Sequence, residues 1–295
     1  MTSVALVTCN MAASLDEDMP LLVEAFESLG IGVATPAWDD PAVDWSAFDA
    51  ALLRSTWDYM DRLEAFMAWI DACAARTRLF NPPALVRRNL DKHYLQGLEA
   101  AGVPIVPTRF AEPGDDPMGC LGPFIDGLEG VEFVVKPAIG AGSRDAARFH
   151  VEDRAAALTH LAGLLQAGRS ALLQPYLTRV DVAGETAMVH IDGVFSHAIR
   201  KGPLLTRGGA GVAGLFAPET ISVREPAADE LALAGAACRH LAALEPLYLR
   251  VDLIRGEDGS PVVLELEMTE PSLFFPYGPG SAGRLASALL RRIGA

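Results

Sequence analysis

The sequence predicts an α/β fold, α+β overall, in which an N-terminal parallel βαβ unit precedes two α+β units. Three observations predict it. Strand-like apolar runs at 4–8, 31–34 and 50–53 alternate with helical patterns at 19–29 and 62–75, the rhythm of a parallel sheet covered by helices. Prolines interrupt the chain at Asn81-Pro-Pro and at Gln174-Pro175, where neither a helix nor a central strand continues easily. Paired apolar runs in the last third are joined by glycine-containing turns, the pattern of antiparallel hairpins. The expected units are 1–85, 86–177 and 178–295.

Composition narrows the chemistry. At 295 residues and 51% hydrophobic, the chain can bury a large core and is too long for one small module. Thirty-eight acids against 24 Lys plus Arg give a net charge of −14, which argues against nonspecific binding to nucleic acid or anionic membranes. An anionic substrate then needs a locally positive pocket. Cys9, Cys73, Cys120 and Cys238 lie far apart with no metal-ligand spacing, so they read as free thiols in a reducing compartment. The start of the chain has neither a basic flank nor a long apolar stretch, and a soluble, cytoplasmic protein is expected.

In the first unit, the carboxyl ends of the strands carry Thr8-Cys-Asn10 and Arg54-Ser-Thr-Trp-Asp58-Tyr59, where open parallel sheets bind ligands. Arg54 can clamp a substrate carboxylate and Asp58 an amine; a pair that only ties down a loop reads nearly as well. The next helix is expected at 91–101, with Lys92 in its first turn and Gly102 as its stop. A lysine there opposes the helix dipole unless an anion is near.

Glu132-Phe-Val-Val-Lys136-Pro reads as a strand, and Gly140, Ala141, Gly142 and Ser143 follow directly. Glycines let backbone amides approach phosphate oxygens closely. The stretch lacks the Gly-Lys-Ser/Thr ending of a P-loop, and 144–151 reads as a returning strand, so a glycine flap between antiparallel strands fits. Such a loop alone is also an ordinary turn. A helix is expected at 154–167, then a strand through Gln174, Pro175, Tyr176 and Leu177. The proline exposes backbone groups able to read an adenine edge, with Asp181 in reach of a ribose.

The run 185–201 reads as a hairpin turning at Asp192-Gly193 and ending in Lys201; His197 within it reads as a satisfied strand histidine. Five glycines within 202–214 suggest a lid. After a helix at 227–244, a second hairpin spans 247–267 about the turn 256–261. Glu265 and Glu267 share a face, and Asp252 joins them if the register allows. Three converging acids suit one or two Mg²⁺ ions bound with a nucleotide, although a solvated acidic strand face reads as well from these residues alone.

Taken in order, these pieces resemble the ATP-grasp superfamily of carboxylate–amine ligases, over essentially the whole chain. The spacing resembles D-alanine–D-alanine ligases. That resemblance implies Lys92 and Lys136 as nucleotide-binding lysines, Gly140 to Ser143 as the phosphate loop, and Gln174 to Leu177 as the adenine hinge, with Asp181 at the ribose. It implies Asp252, Glu265 and Glu267 as metal ligands and Arg250 and Lys201 as catalytic cations. One departure stands out: Glu267 occupies a position where the superfamily usually has asparagine. Three segments look like a narrower branch that includes the D-cycloserine ligase of antibiotic biosynthesis: Arg54 to Tyr59, Ser196 to Lys201, and Glu265 to Ser272. The branch implies ATP and Mg²⁺ as cofactors and a small amino-acid-like substrate, met by Arg54, Asp58 and Ser272. It also implies an acylphosphate intermediate, either closed intramolecularly or captured by a second amine. A homodimer fits by resemblance. A nucleotide-binding module without catalysis is the rival of another class.

Overall fold

The computed structural model describes residues 2–12, 15–205 and 220–294. Three sheets organise it. The first is parallel, in the order β2-β1-β3-β4, built from β1 (Ser3–Thr8), β2 (Gly32–Ala34), β3 (Ala50–Ser55) and β4 (Arg78–Phe80). Helices α1 (Asp18–Ser28) and α2 (Leu63–Ala74) make its crossovers. β1 and β3 are apolar on both faces, Val4 to Val7 and Ala50 to Leu53 being wholly buried, as strands covered on two sides require.

Proline then acts differently from the expectation. Pro83 opens a helix, α3 (Pro83–Leu90), because the first helical residue has no intrahelical partner for its N–H and proline's fixed φ suits it. The boundary expected near residue 85 therefore falls inside a helix. α4 (Tyr94–Ala100) starts later than expected. Lys92 lies in the turn before it, held by its backbone N–H to the Ala138 carbonyl at 3.0 Å, so the helix-dipole consideration does not apply to it.

The second sheet runs β5-β8-β6-β7 and is antiparallel: β5 (Arg109–Ala111), β6 (Glu132–Pro137), β7 (Ala147–His150) and β8 (Ala171–Pro175). Helices α5 (Pro117–Asp126) and α6 (Arg154–Gln166) cover it through Leu121, Phe124, Leu161 and Leu165. The glycine loop joins β6 to β7, the antiparallel arrangement expected of a flap. A short helix, α7 (Val180–Ala183), follows the hinge.

The third sheet runs β11-β10-β9-β12-β13. Its members are β9 (Glu185–Ile191), β10 (Val194–Lys201), β11 (Ile221–Val223), β12 (Tyr248–Arg255) and β13 (Pro261–Glu267). The β9–β10 turn puts Asp192 at φ 53° and Gly193 at φ 77°, the two positive values a tight primed hairpin turn demands. α8 (Ala228–Leu241) packs on β12 and β13 through Leu233, Ala234 and Ala237, in one core with Leu95 and Leu98 of α4. α9 (Ser281–Ile293) turns Leu285 and Leu289 into a core shared with Leu6 and Phe26, so the two ends of the chain pack together. The lid expected at 202–214 lies, from residue 206 on, outside the described residues. No helix among the described residues is long and apolar enough to cross a membrane.

Candidate active site

A cleft of about 260 Å³ opens between the second and third sheets and is closed at one end by the segment after β3. The register of the carboxylate hairpin decides its floor. Asp252 stands opposite Glu265 and Arg250 opposite Glu267 across β12 and β13. Directly paired residues of an antiparallel ladder share a face, so all four side chains meet. The favourable register required for Asp252 is the one formed.

Cations close over these acids. Lys92 Nζ reaches Glu265 Oε1 at 2.9 Å and donates to the Gly140 carbonyl at 2.8 Å, linking floor to glycine loop. Arg250 grips Asp252 with two hydrogen bonds of 2.8 Å each, contacts Glu267, and donates to the Ser272 carbonyl at 3.0 Å. Lys201, at the end of β10, bonds Asp252 Oδ2 at 2.9 Å and pairs with Glu185 at the start of β9. Gly184 permits this approach: its φ is +72°, and a Cβ there would sit 2.6 Å from the Lys201 carbonyl. Lys136 points into the same cleft from β6.

The electrostatics separate the acids. Burial opposes ionisation of Asp252, yet Arg250 and Lys201 hold it well below the usual carboxylate range. Burial likewise opposes Glu265, and Lys92 with Lys136 brings it down. Glu267 goes the other way: burial, with repulsion from Asp252 and Glu265, raises it to about 7 despite Arg250. Glu185 rises to about 8 through burial beside Asp252, although Lys201 opposes the shift. Glu270 also rises to about 8, through burial and its neighbour Glu267. Burial pulls the Lys136 ammonium below its usual range, with Lys92 adding to the effect and Glu265 opposing it. Lysines crowded with buried acids, and acids crowded with one another, form a site that is relieved when a polyanion and a metal ion enter together.

The donors fit magnesium in kind. Asp252, Glu265 and Glu267 offer only oxygen, the hard ligand set of Mg²⁺. Among the described residues no three or more His, Cys, Asp or Glu side chains are gathered as a ready metal cage. An ion here therefore draws its remaining ligands from phosphate and water.

The glycine loop passes Gly142 and Ser143 through the left-handed region, at φ 61° and 57°, and Gly140, Ala141, Gly142 and Ser143 all line the cleft. Arg144 anchors it to Asp61 at 2.6 Å. At the hinge, Gln174, Pro175, Tyr176 and Leu177 line the cleft beside the apolar Val106, Val134, Ile254 and Leu264. The Gln174 side chain is occupied by Thr108 at 2.8 Å. Asp181 lies outside the cleft lining. It accepts from the Tyr176 hydroxyl and sits 3.6 Å from Arg148, whose guanidinium stacks 3.4 Å over the Tyr176 ring.

Two substrate candidates take other roles. Arg54 is 1% exposed, donates to the Pro271 carbonyl at 2.9 Å and lies 3.7 Å from Asp18, away from the cleft lining. Asp18 in turn accepts from the backbone N–H groups of Phe274 at 3.1 Å and Phe275 at 2.7 Å. The pair fastens the loop that presents Ser272. Asp58 accepts from Trp38 Nε1 at 2.8 Å and from Arg62, also away from the cleft. Each ties down a loop, with a different partner from the one expected, since Arg54 pairs with Asp18 and Asp58 with Arg62. Ser272 does line the cleft. His197 is a satisfied strand histidine, its Nε2 2.8 Å from the Leu273 carbonyl.

Among the lining residues that the sequence did not single out are the polar or aromatic Trp57, Tyr59, Glu185 and Glu270. Glu185 carried a signal, standing at the mouth of a hairpin directly opposite Lys201. Glu270 lies in no regular element; the segment Glu265 to Ser272 marked its neighbourhood by resemblance, and no role was read for the residue itself.

The family described as the N-terminal domain of D-cycloserine synthetase DcsG matches residues 4–81. The chain is 41% identical over 297 residues to the cycloserine biosynthesis protein DcsG of Streptomyces lavendulae, covering 98% of each. It superposes on the crystal structure of D-cycloserine synthetase DcsG with a TM-score of 0.92 at 41% identity, across 99% of both chains. More distantly, it shares its fold with the ATP-grasp ligase PsnB complexed with minimal precursor, Mg and ADP. There the TM-score is 0.66 at 18% identity, over 99% of this chain and 98% of that one.

Proposed function

Because the chain belongs to the D-cycloserine synthetase family of ATP-grasp ligases, enzymes that form C–N bonds, we propose that it converts O-ureido-D-serine to D-cycloserine with ATP. One observation carries the assignment of the site. The hairpin register brings Arg250, Asp252, Glu265 and Glu267 onto one face beside Lys92, Lys136 and Lys201, in a cleft that Val106, Val134, Ile254 and Leu264 also line.

In this reading the hinge from Gln174 to Leu177 takes the adenine by its backbone, and Asp181 takes the ribose. Lys92, Lys136 and the amides of Gly140 to Ser143 hold the phosphates. Asp252, Glu265 and Glu267 hold magnesium, which neutralises phosphate charge when bound. The substrate carboxylate attacks the γ-phosphorus, and the bond to ADP breaks. The nitrogen on the serine side-chain oxygen then attacks the acyl carbon; the C–N bond forms and phosphate departs with its electron pair. The carbamoyl group leaves with one water as carbon dioxide and ammonia. Phosphoryl transfer asks the protein for position and charge more than for covalent chemistry, and Arg250 provides the charge at the developing oxyanion. One such donor contributes on the order of 3 kcal/mol. Asp252 holds the Arg250 guanidinium in one orientation through its bidentate contact.

The chain divides this work, the part up to residue 177 supplying the glycine loop and hinge and 178–295 the carboxylates. A small amino-acid-like substrate, a cytoplasmic location and a homodimer complete the proposal. The test is release of ADP and phosphate across a panel of amino acids and O-substituted serines. Equal release of both with O-ureido-D-serine alone is expected. A strict requirement for a second amine would instead make the enzyme an intermolecular ligase, and no ADP with any carboxylate would make it a binding module.

A further inference from the structure

The cleft has two ends, and only one has been assigned a ligand. The hinge slot holds the base and the carboxylates mark the phosphates, so the amino-acid substrate enters from the opposite end. That end is walled by Trp57, Tyr59, Ser272, Phe274 and the side chain of Glu270. Glu270 is held on both sides. Its carbonyl accepts from Trp57 Nε1 at 3.0 Å, and its carboxyl is hydrogen-bonded with the buried Tyr59 hydroxyl. Glu265 and Glu267, its charged neighbours along the strand, repel it.

The geometry points to Glu270 as the residue that takes the α-ammonium of the amino-acid substrate, with Tyr59 as the positioning residue that holds its carboxyl. This rests on the reading of the cleft as the site of an amino-acid ligase. An ammonium at Glu270 supplies a direct cationic partner, where Lys92 acts on this acid only through its field. It also leaves the substrate carboxylate directed toward Arg250 and the metal ligands, where the new bond forms. Tyr59 belongs to the turn that carries Asp61, the partner of Arg144 in the glycine loop at 2.6 Å. The same turn therefore braces both the amino-acid end and the phosphate loop.

The experiment compares O-ureido-D-serine with its deamino counterpart, 3-(ureidooxy)propanoate, in wild type, Glu270→Gln and Tyr59→Phe. Wild type is expected to prefer the amino substrate by about 100-fold in kcat/KM, since a site built for a polar group rejects the analogue lacking it. Glu270→Gln, which preserves size and the bond to Tyr59, is expected to bring that ratio close to 1 and to raise KM for the amino acid at least ~10-fold. KM for ATP and the magnesium requirement stay unchanged. Tyr59→Phe should lower the ratio part of the way, with KM affected more than kcat. A wild-type enzyme that cyclises the substrate while Glu270→Gln keeps full preference for the amino form overturns the inference and leaves the proposed reaction standing. A variant whose defect is cured by excess magnesium overturns it too, by making Glu270 a metal ligand. Absence of ADP release by wild type with any O-substituted serine overturns the reaction, and the inference with it.

Discussion

Lys136 shows how much of the site was legible residue by residue. A lysine at the carboxyl end of an apolar strand, directly before a glycine loop, has no structural reason to be there, and the fold puts it in the cleft within the field of Glu265 and Lys92. Truncating it removes a charge from the cleft where the proposed function puts the phosphates. Lys136→Ala is expected to reduce kcat/KM for ATP by about 10²–10³-fold, the usual cost of losing one preorganised donor, while the far-ultraviolet circular dichroism stays that of wild type. A near-normal rate would refute the role. Arg54 shows the opposite case. Its position after β3 invited a substrate role, and only the path of the chain more than 200 residues later brings Pro271 to its guanidinium.

At the scale of elements, the end of β13 is held by side chains from another part of the chain. Asn81 donates to the carbonyls of Tyr248 and Met268 at 2.9 and 2.7 Å and accepts from Leu247 N at 2.7 Å. Asn89 accepts from Met268 N at 2.7 Å and donates to the Leu266 carbonyl at 2.7 Å. These amides act as short strands of backbone beside the acidic end of β13. Asn81→Ala leaves three backbone groups without partners at a wholly buried position and is expected to destabilise the protein by about 3 kcal/mol. Thermal denaturation should show a midpoint lower by roughly 6–12 °C; an unchanged midpoint would mean that water replaces the amide.

The long hairpins were readable because alternation and turn residues lie within a few positions of each other. β4, β5 and β11 were not, since three residues each carry no period. α3 was missed because proline was taken as a terminator where it serves as a first helical residue. α9 was missed although Leu285, Ala286 and Leu289 recur at helical spacing.

At the scale of the molecule, the N-terminal sheet closes one face with residues of its own, Val7, Leu53 and Phe66 among them, and leaves the other to the end of the chain. Leu6, Leu22 and Phe26 share a core with Leu247, Leu273 and Leu289, so the first unit and the last are packed together beside the cleft. The cleft itself stores repulsion. Glu185, Glu267 and Glu270 are raised in the folded protein to about 8, 7 and 8. Between pH 5 and 8 the folded state therefore keeps protons that the unfolded chain has released, and the stability these groups contribute falls as pH rises through that window. Asp252 and Glu265, held low, act in the reverse sense and lose their contribution only as pH drops through the ordinary carboxylate range. Wild type should accordingly lose ground to Glu270→Gln in melting temperature between pH 5.5 and 8.5. About 2–3 °C is expected, the response to roughly 1 kcal/mol in a chain of this size. A constant difference between the two across that range would show that Glu270 ionises no differently in the folded and unfolded states.

The long hairpins, the two lysines, the glycine loop and the acidic pair could be read without a fold, because each depends on the chemistry of residues within one element. Which side chains face one another across the cleft was decided by tertiary structure alone. Strand register put Asp252 opposite Glu265, and burial beside neighbouring carboxylates gave Glu267 and Glu270 their unusual affinity for protons. The loop after β13 took Arg54 for its own support. Electrostatic environment depends on distance in space, and a linear chain carries no measure of that until it folds.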